Sequence, residues 1–205
     1  MFTFLNTILD FIFPPSELEL KLRSISRDEL FKISPKATET EFPFIIAVLS
    51  YKNPLVRELI WQIKYKKNKH AIECAGYALY QTLPKLYSSA ILIPIPISNK
   101  RRNERGFNQS ELIVDEIIRL DKDNRYVANY DLLIRAKNID KQTFKNRNER
   151  IENTKNIFNI VGNIDNNTQI IIIDDVTTTG STLNEARNKL IEFGFTDVKA
   201  LTVAH

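Results

Sequence analysis

Ile170-Ile171-Ile172-Ile173-Asp174-Asp175-Val176-Thr177-Thr178-Thr179-Gly180-Ser181-Thr182 is the stretch from which the fold is read. Four consecutive isoleucines with no polar alternation describe a strand buried on both faces, the habit of a parallel sheet covered by helices. Two adjacent carboxylates end the strand, and hydroxyl side chains with one glycine lead into a helix expected over Thr182 to Phe193. In open α/β sheets, ligands sit outside the carboxyl ends of the strands. Amide groups at a helix start, helped by Thr and Ser hydroxyls, suit a phosphate. Two carboxylates beside such a cradle repel the same anion. They make sense if they accept hydrogen bonds from sugar hydroxyls or face a magnesium ion, so a sugar phosphate is the natural ligand.

Working outward, the pattern alternates strand and helix. Phe44 to Leu49 reads as a strand, and Asn53-Pro54 starts a helix with Asn as its cap. A second helix is expected over 70–86. Ala90 to Pro96 is another continuous apolar run, followed by a basic loop and a helix from Asn108 to Leu120. Tyr130 to Ile134, Ile157 to Val161 and Val198 to Val203 read as strands. The fold class expected is α/β, a parallel sheet flanked by helices. Ahead of it lie an amphipathic helix (Leu5, Ile8, Leu9, Ile12) and a polar helix from Leu18 to Ile33, capped by Ser16.

The chain has 205 residues, long enough to bury a core without disulfide or metal. Its single cysteine, Cys74, excludes an intramolecular disulfide, and with only His70 and His205 no multi-cysteine zinc cluster is available. The apolar N-terminus has no basic start and carries Asp10, so neither a secretory signal nor a membrane span is expected, and the setting read from it is cytoplasmic. The net charge of +4 is mild but concentrated. Lys100, Arg101, Arg102 and Arg105 face only Glu104, and residues 135–155 hold seven basic against three acidic side chains. Such focusing suits a polyanion, whether phosphate, pyrophosphate or nucleic acid. The plain alternative is a pair of solvated loops. Trp61 and Tyr65 are expected in the core, as is Cys74.

The stretch 170–182 resembles the phosphoribosyl pyrophosphate (PRPP) motif of the type I phosphoribosyltransferases. Ile93-Pro94-Ile95-Pro96, Lys100-Arg101-Arg102 and Arg105-Gly106-Phe107-Asn108-Gln109-Ser110-Glu111-Leu112 are similar to the central signature of the ComF (competence protein F, GntX-like) family. Ser50-Tyr51, Lys64-Tyr65, Gln142, Arg150, Asn153 and Phe158 extend that resemblance over 44–205. It implies a phosphoribosyltransferase-like domain over 44–205, with 1–43 a helical extension. It also implies that Asp174 and Asp175 hold the ribose hydroxyls, and that Thr178, Thr179, Gly180, Ser181 and Thr182 hold the 5′-phosphate. Lys100, Arg101 and Arg105 would serve the pyrophosphate, with Mg²⁺ arriving on PRPP and no zinc. The family's small cysteine-rich module is absent, since Pro14-Pro15 is followed by Ser16-Glu17-Leu18.

Three functions follow from this resemblance. One is a transferase moving phosphoribosyl to an unidentified acceptor. The second is a non-catalytic sensor of PRPP or a nucleotide. The third is a competence protein gripping single-stranded DNA with its basic segments, beside other competence proteins. A homo-oligomer is left open. Thr178 stands where purine-salvage relatives carry an acidic residue, and it cannot accept a proton at neutral pH. Residues 135–155 are weakly apolar and are expected to be mobile in the free protein, with PRPP ordering Lys137 to Lys145.

Overall fold

In the computed structural model, residues 14–37, 40–136, 157–162, 165 and 168–205 are described. The expected N-terminal helix and the segment around Lys137 to Lys145, for which mobility was expected, lie outside them. The polar stretch forms two helices rather than one, α1 (Glu17–Ser24) and α2 (Arg27–Ile33). Ser16 and Ser26 each accept from the backbone N–H three residues on, at Glu19 and Glu29. A serine cap so early in the second segment restarts the helix instead of continuing it. Strand β1 (Ile45–Leu49) precedes α3 (Pro54–Lys66) and α4 (Lys69–Tyr80). Helix α4 stops short of the expected residue 86, giving way to a 3₁₀ turn over Leu83–Lys85 with Pro84 inside it.

Strand β2 (Ala90–Pro94) leads to α5 (Asn99–Arg105), where a loop was expected. Ser98 Oγ accepts from Arg101 N–H, and Gly106 ends the helix at φ 78°. Helix α6 (Gln109–Leu120) follows, then β3 (Tyr126–Ala128), a short strand that charged neighbours hide in the sequence. The strand expected from Tyr130 starts only at Leu133. The Asn129 side chain accepts from the N–H groups of Asp131 and Leu132, folding these residues into a turn. Strands β4 (Leu133–Arg135) and β5 (Phe158–Ile160) pair antiparallel as a separate ribbon. Strand β6 (Ile170–Val176), α7 (Ser181–Phe193) and β7 (Val198–Ala204) complete the order.

The main sheet has five strands in the order β1-β7-β6-β2-β3, all neighbours parallel. Ile171 and Ile173 join a core formed with α3, α4 and α6, and Leu22, Ile25 and Leu30 from α1 and α2 belong to the same core. Ile170 and Ile172 face a second core with Leu183, Ala186 and Leu190 of α7 and Phe158 of the ribbon. The four isoleucines are therefore fully buried on both faces, as their lack of alternation requires.

Gly76 shows how closely the first layer packs. A Cβ there would lie 2.8 Å from Glu116 Cβ on α6, and Glu116 is itself held by paired contacts from Arg119. Overpacking of this kind costs ~1–3 kcal/mol. Gly76→Ala is expected to lower stability by about that amount in urea unfolding; a variant as stable as wild type would mean that α4 and α6 yield freely.

Candidate anion-binding site

A cleft of about 240 Å³ opens where the chain leaves β2 and β6 at their carboxyl ends. Adjacent parallel strands whose connections diverge leave such a crevice. One wall is Ile95, Pro96 and Ile97, with Arg101 and Arg105 from α5. The other is the continuous run from Asp174 to Leu183, and Lys64, Gln109 and Arg135 close the ends.

The loop after β6 is anchored at its start, where Thr177 N–H donates to the Ala204 carbonyl. Thr178 and Thr179 are exposed beyond it, and Thr179 Oγ1 lies 2.9 Å from Ser181 Oγ. Gly180 caps α7 with φ 73°, and no side chain caps that helix. A Cβ at Gly180 would come within 2.8 Å of Ile45 Cδ1 and 3.1 Å of Phe42 Cε2. Glycine is therefore required twice, by the left-handed backbone and by the close approach of the loop to β1. The first amides of α7, with the helix dipole behind them, present positive potential to the cleft.

The two carboxylates are positioned by different neighbours. Asp174 Oδ1 accepts from Ser110 Oγ at 3.0 Å and from Asp175 N–H at 2.8 Å. Burial first, and the Asp175 charge second, push its pKa well above the usual carboxylate range. Asp175 is 2% exposed. Lys64 Nζ lies 3.0 Å from its Oδ2, an ion pair rather than an aligned hydrogen bond, and Gln109 Nε2 is 3.5 Å from Oδ1. Arg105 Nη1 donates to Gln109 Oε1 at 2.9 Å, so the basic helix is linked to the carboxylate pair through one amide.

Across the cleft, Arg135 Nη1 approaches the Pro96 carbonyl at 3.4 Å and its guanidinium lies 5.7 Å from the Phe158 ring centre. Burial, then the charge of Arg101, lower its pKa, while Glu185 opposes them. Two guanidinium groups that repel across a polar crevice gain from an anion between them. The cleft's four cations, Lys64, Arg101, Arg105 and Arg135, outnumber its two carboxylates.

The sequence-expected residues Arg101, Arg105, Asp174, Asp175, Thr178, Thr179, Gly180, Ser181 and Thr182 are brought together around this one cleft. Lys100 does not line it. It points away, largely exposed, with Nζ 3.9 Å from Glu104. Lys64, Gln109, Ser110 and Arg135 were not expected as site residues. Lys64, Gln109 and Ser110 stand in stretches that carry the family resemblance and Arg135 opens the basic segment, but no role was assigned to them, and only the packing of α3, α6 and β4 around the strand end brings them together. Among the described residues no group of three or more His, Cys, Asp or Glu side chains could hold a metal ion, and no helix is long and apolar enough to cross a membrane.

No protein-family model matches the chain. Competence protein ComFC of Bacillus subtilis is 33% identical over 144 residues, covering 69% of this chain and 56% of that protein. Competence protein F of Haemophilus influenzae is 30% identical over 118 residues, covering 55% and 49%. The chain is a relative of the ComF competence proteins. The DNA utilization protein YhgH of Escherichia coli is 27% identical over 159 residues, covering 73% of this chain and 66% of that protein. The chain thus spans about half the length of the first ComF relatives it matches. Among solved structures it is similar to a hypoxanthine phosphoribosyltransferase from Staphylococcus aureus (12% identity, TM-score 0.38, 64% of this chain and 61% of that one). An adenine phosphoribosyltransferase from Trypanosoma brucei, in complex with AMP, pyrophosphate and ribose-5-phosphate, gives 14% identity and a TM-score of 0.44 over 80% and 84%.

The state of Asp174 yields a test on the free protein. A carboxyl whose folded pKa is raised favours the protonated form. Its penalty is therefore absent below the unfolded value and grows as pH rises through the folded one. Asn imitates the protonated form and can still accept from Ser110. Asp174→Asn is expected to raise the melting temperature at neutral pH by about 3 °C or more, and the gain should vanish near pH ~4. A variant that melts lower than wild type at neutral pH would contradict this electrostatic reading.

Proposed function

We propose that this cleft binds PRPP as its magnesium complex and that the protein transfers phosphoribosyl to an acceptor, releasing pyrophosphate. The observation that carries the reading is the continuity of Asp174, Asp175 and the Thr178–Thr182 loop with the start of α7, opposite Arg101, Arg105 and Arg135. The amides and hydroxyls of the loop suit a terminal phosphate dianion. The carboxylates suit the ribose diol, whose hydroxyls supply donors to the oxygens that burial has stripped of water. Sugar hydroxyls also relieve the repulsion between Asp174 and Asp175, since each accepted hydrogen bond stabilises a charged carboxylate.

The residues fit a magnesium ion carried by the ligand. The acidic groups of the cleft are one pair of neighbouring carboxylates, one of them already paired with Lys64, while the pyrophosphate oxygens offer the rest of a coordination shell. In the transfer, the acceptor forms a bond to C1′ as the C1′–O bond to pyrophosphate breaks, and the electron pair leaves on pyrophosphate. Arg101, Arg105 and Arg135 face that developing charge, and preorganised cations of this kind lower the barrier. We also read the protein as acting in DNA uptake or utilization, a role supported by the names of its relatives.

Isothermal calorimetry with Mg-PRPP tests the first reading. Wild type is expected to bind, and Asp174→Asn with Asp175→Asn to bind at least tenfold more weakly, because charge-assisted hydrogen bonds contribute ~1.5–3 kcal/mol each. Equal binding by both proteins would remove the carboxylate pair from the site.

A further inference from the structure

Helix α3 carries a feature that the anion cleft does not use. Trp61 and Tyr65, one turn apart, were expected in the core, yet they are 42% and 61% exposed. One exposed aromatic would need no explanation, but two adjacent ones on a single helix face form a contiguous patch of the kind that marks a contact surface. The two rings are 5.7 Å apart at their centres and tilted by 42°, so together they present a broad apolar face.

Cations frame these rings in alternation. Lys66 Nζ lies 5.6 Å from the Trp61 ring centre, the Arg105 guanidinium 5.6 Å from Tyr65, and Lys67 Nζ 5.5 Å from half-buried Phe107. The run from Leu59 to Ile72 contains no acidic residue. A protein partner would bring its own acidic side chains to such a surface but has no reason to bring flat π-faces at matching intervals. A duplex would present phosphates with its bases already stacked inside. Unpaired nucleotides supply both groups, an anionic backbone and exposed bases that stack on aromatic rings.

We infer that Trp61 and Tyr65, flanked by Lys66, Lys67 and Arg105, form a stacking platform for a single-stranded polynucleotide. This deepens, and rests on, the DNA part of the reading above; it shares Arg105 with the PRPP part but needs no bound PRPP. Arg105 belongs to both surfaces, because it lines the cleft while lying against Tyr65. The platform therefore continues from the mouth of the cleft.

Trp61 is the chain's single tryptophan, so its fluorescence reports on the platform alone. Full-length protein is titrated with an oligothymidylate of about twenty nucleotides, enough to cover a stacking site. Tryptophan emission is expected to be quenched, with a midpoint that moves to higher concentration as salt is added. Trp61→Ala with Tyr65→Ala should weaken binding, read by anisotropy of a labelled oligothymidylate, by about tenfold or more. Circular dichroism should show the double variant still folded, because neither side chain belongs to the core. Binding without quenching would overturn the inference, as would absence of binding at low salt. Equal quenching by a duplex, or thymidine monophosphate binding as tightly as the polymer, would do the same. Calorimetry with Mg-PRPP on Trp61→Ala alone separates the two readings, since Trp61 lies beside Lys66 and not against a cation of the cleft, and the platform can weaken while the cleft still binds.

Discussion

Asp174 and Asp175 lie side by side at the end of β6, the first half-buried and the second buried, and two neighbouring carboxylates in that position repel unless something beside them compensates. In the free protein the compensation is uneven. Lys64 pairs with Asp175, and Gln109 lies near its other oxygen. Asp174 has a serine hydroxyl and one backbone amide, and its carboxyl is driven toward the protonated form by burial and by its neighbour. Hydrogen-bond donors brought by a ligand would offset this imbalance, which is what the proposed function asks of the pair. The cost is accepted in the free fold because β6 is among its most buried strands, with Ile170 to Ile173 inaccessible on both faces.

The remaining geometry follows from that strand end. Its chain direction delivers the loop and the start of α7 to the same side as the turn after β2. Asn108 fixes the opposite wall, donating from Nδ2 to the Ile95 carbonyl while its Oδ1 accepts from Ser110 N–H. The same cap aims Gln109 and Ser110 at the two carboxylates. One buried asparagine thus sets both the helix start and the partners of the acidic pair. Positive charge then gathers from three separate places, α3, α5 and β4, and the field of the cleft is not visible in any one of them.

The sheet was legible in the sequence wherever apolar runs were continuous. Ile170–Ile173 and Ala90–Pro94 could be little else than strands buried on both faces, and the Asp-Asp-to-hydroxyl turn pointed to the strand end where the cleft opens. The misreadings arose where local side-chain chemistry competes with periodicity. Ser26 breaks a helix that hydrophobic spacing would continue, Ser98 and Gly106 turn an expected loop into a short helix, and Asn129 delays β4 by three residues. Trp61 and Tyr65 were misplaced because large aromatics are usually buried, and residue type alone does not tell which face of α3 the core leaves uncovered. Lys64, Gln109, Ser110 and Arg135 stood in stretches singled out in the sequence, yet their roles were out of reach for another reason. Their relevance depends on which helix face meets the strand end, and that is decided by tertiary packing.

The account's central claim is that the Thr178–Thr182 loop holds a phosphate while Asp174 and Asp175 hold the sugar attached to it. A crystal structure with ribose 5-phosphate tests this most directly. The account predicts the phosphate oxygens within hydrogen-bonding distance of the amides from Thr178 to Thr182, with the 2′ and 3′ hydroxyls donating to the two carboxylates. A phosphate lodged between Arg101 and Arg135, with the loop free and the sugar turned away from Asp174, would contradict it.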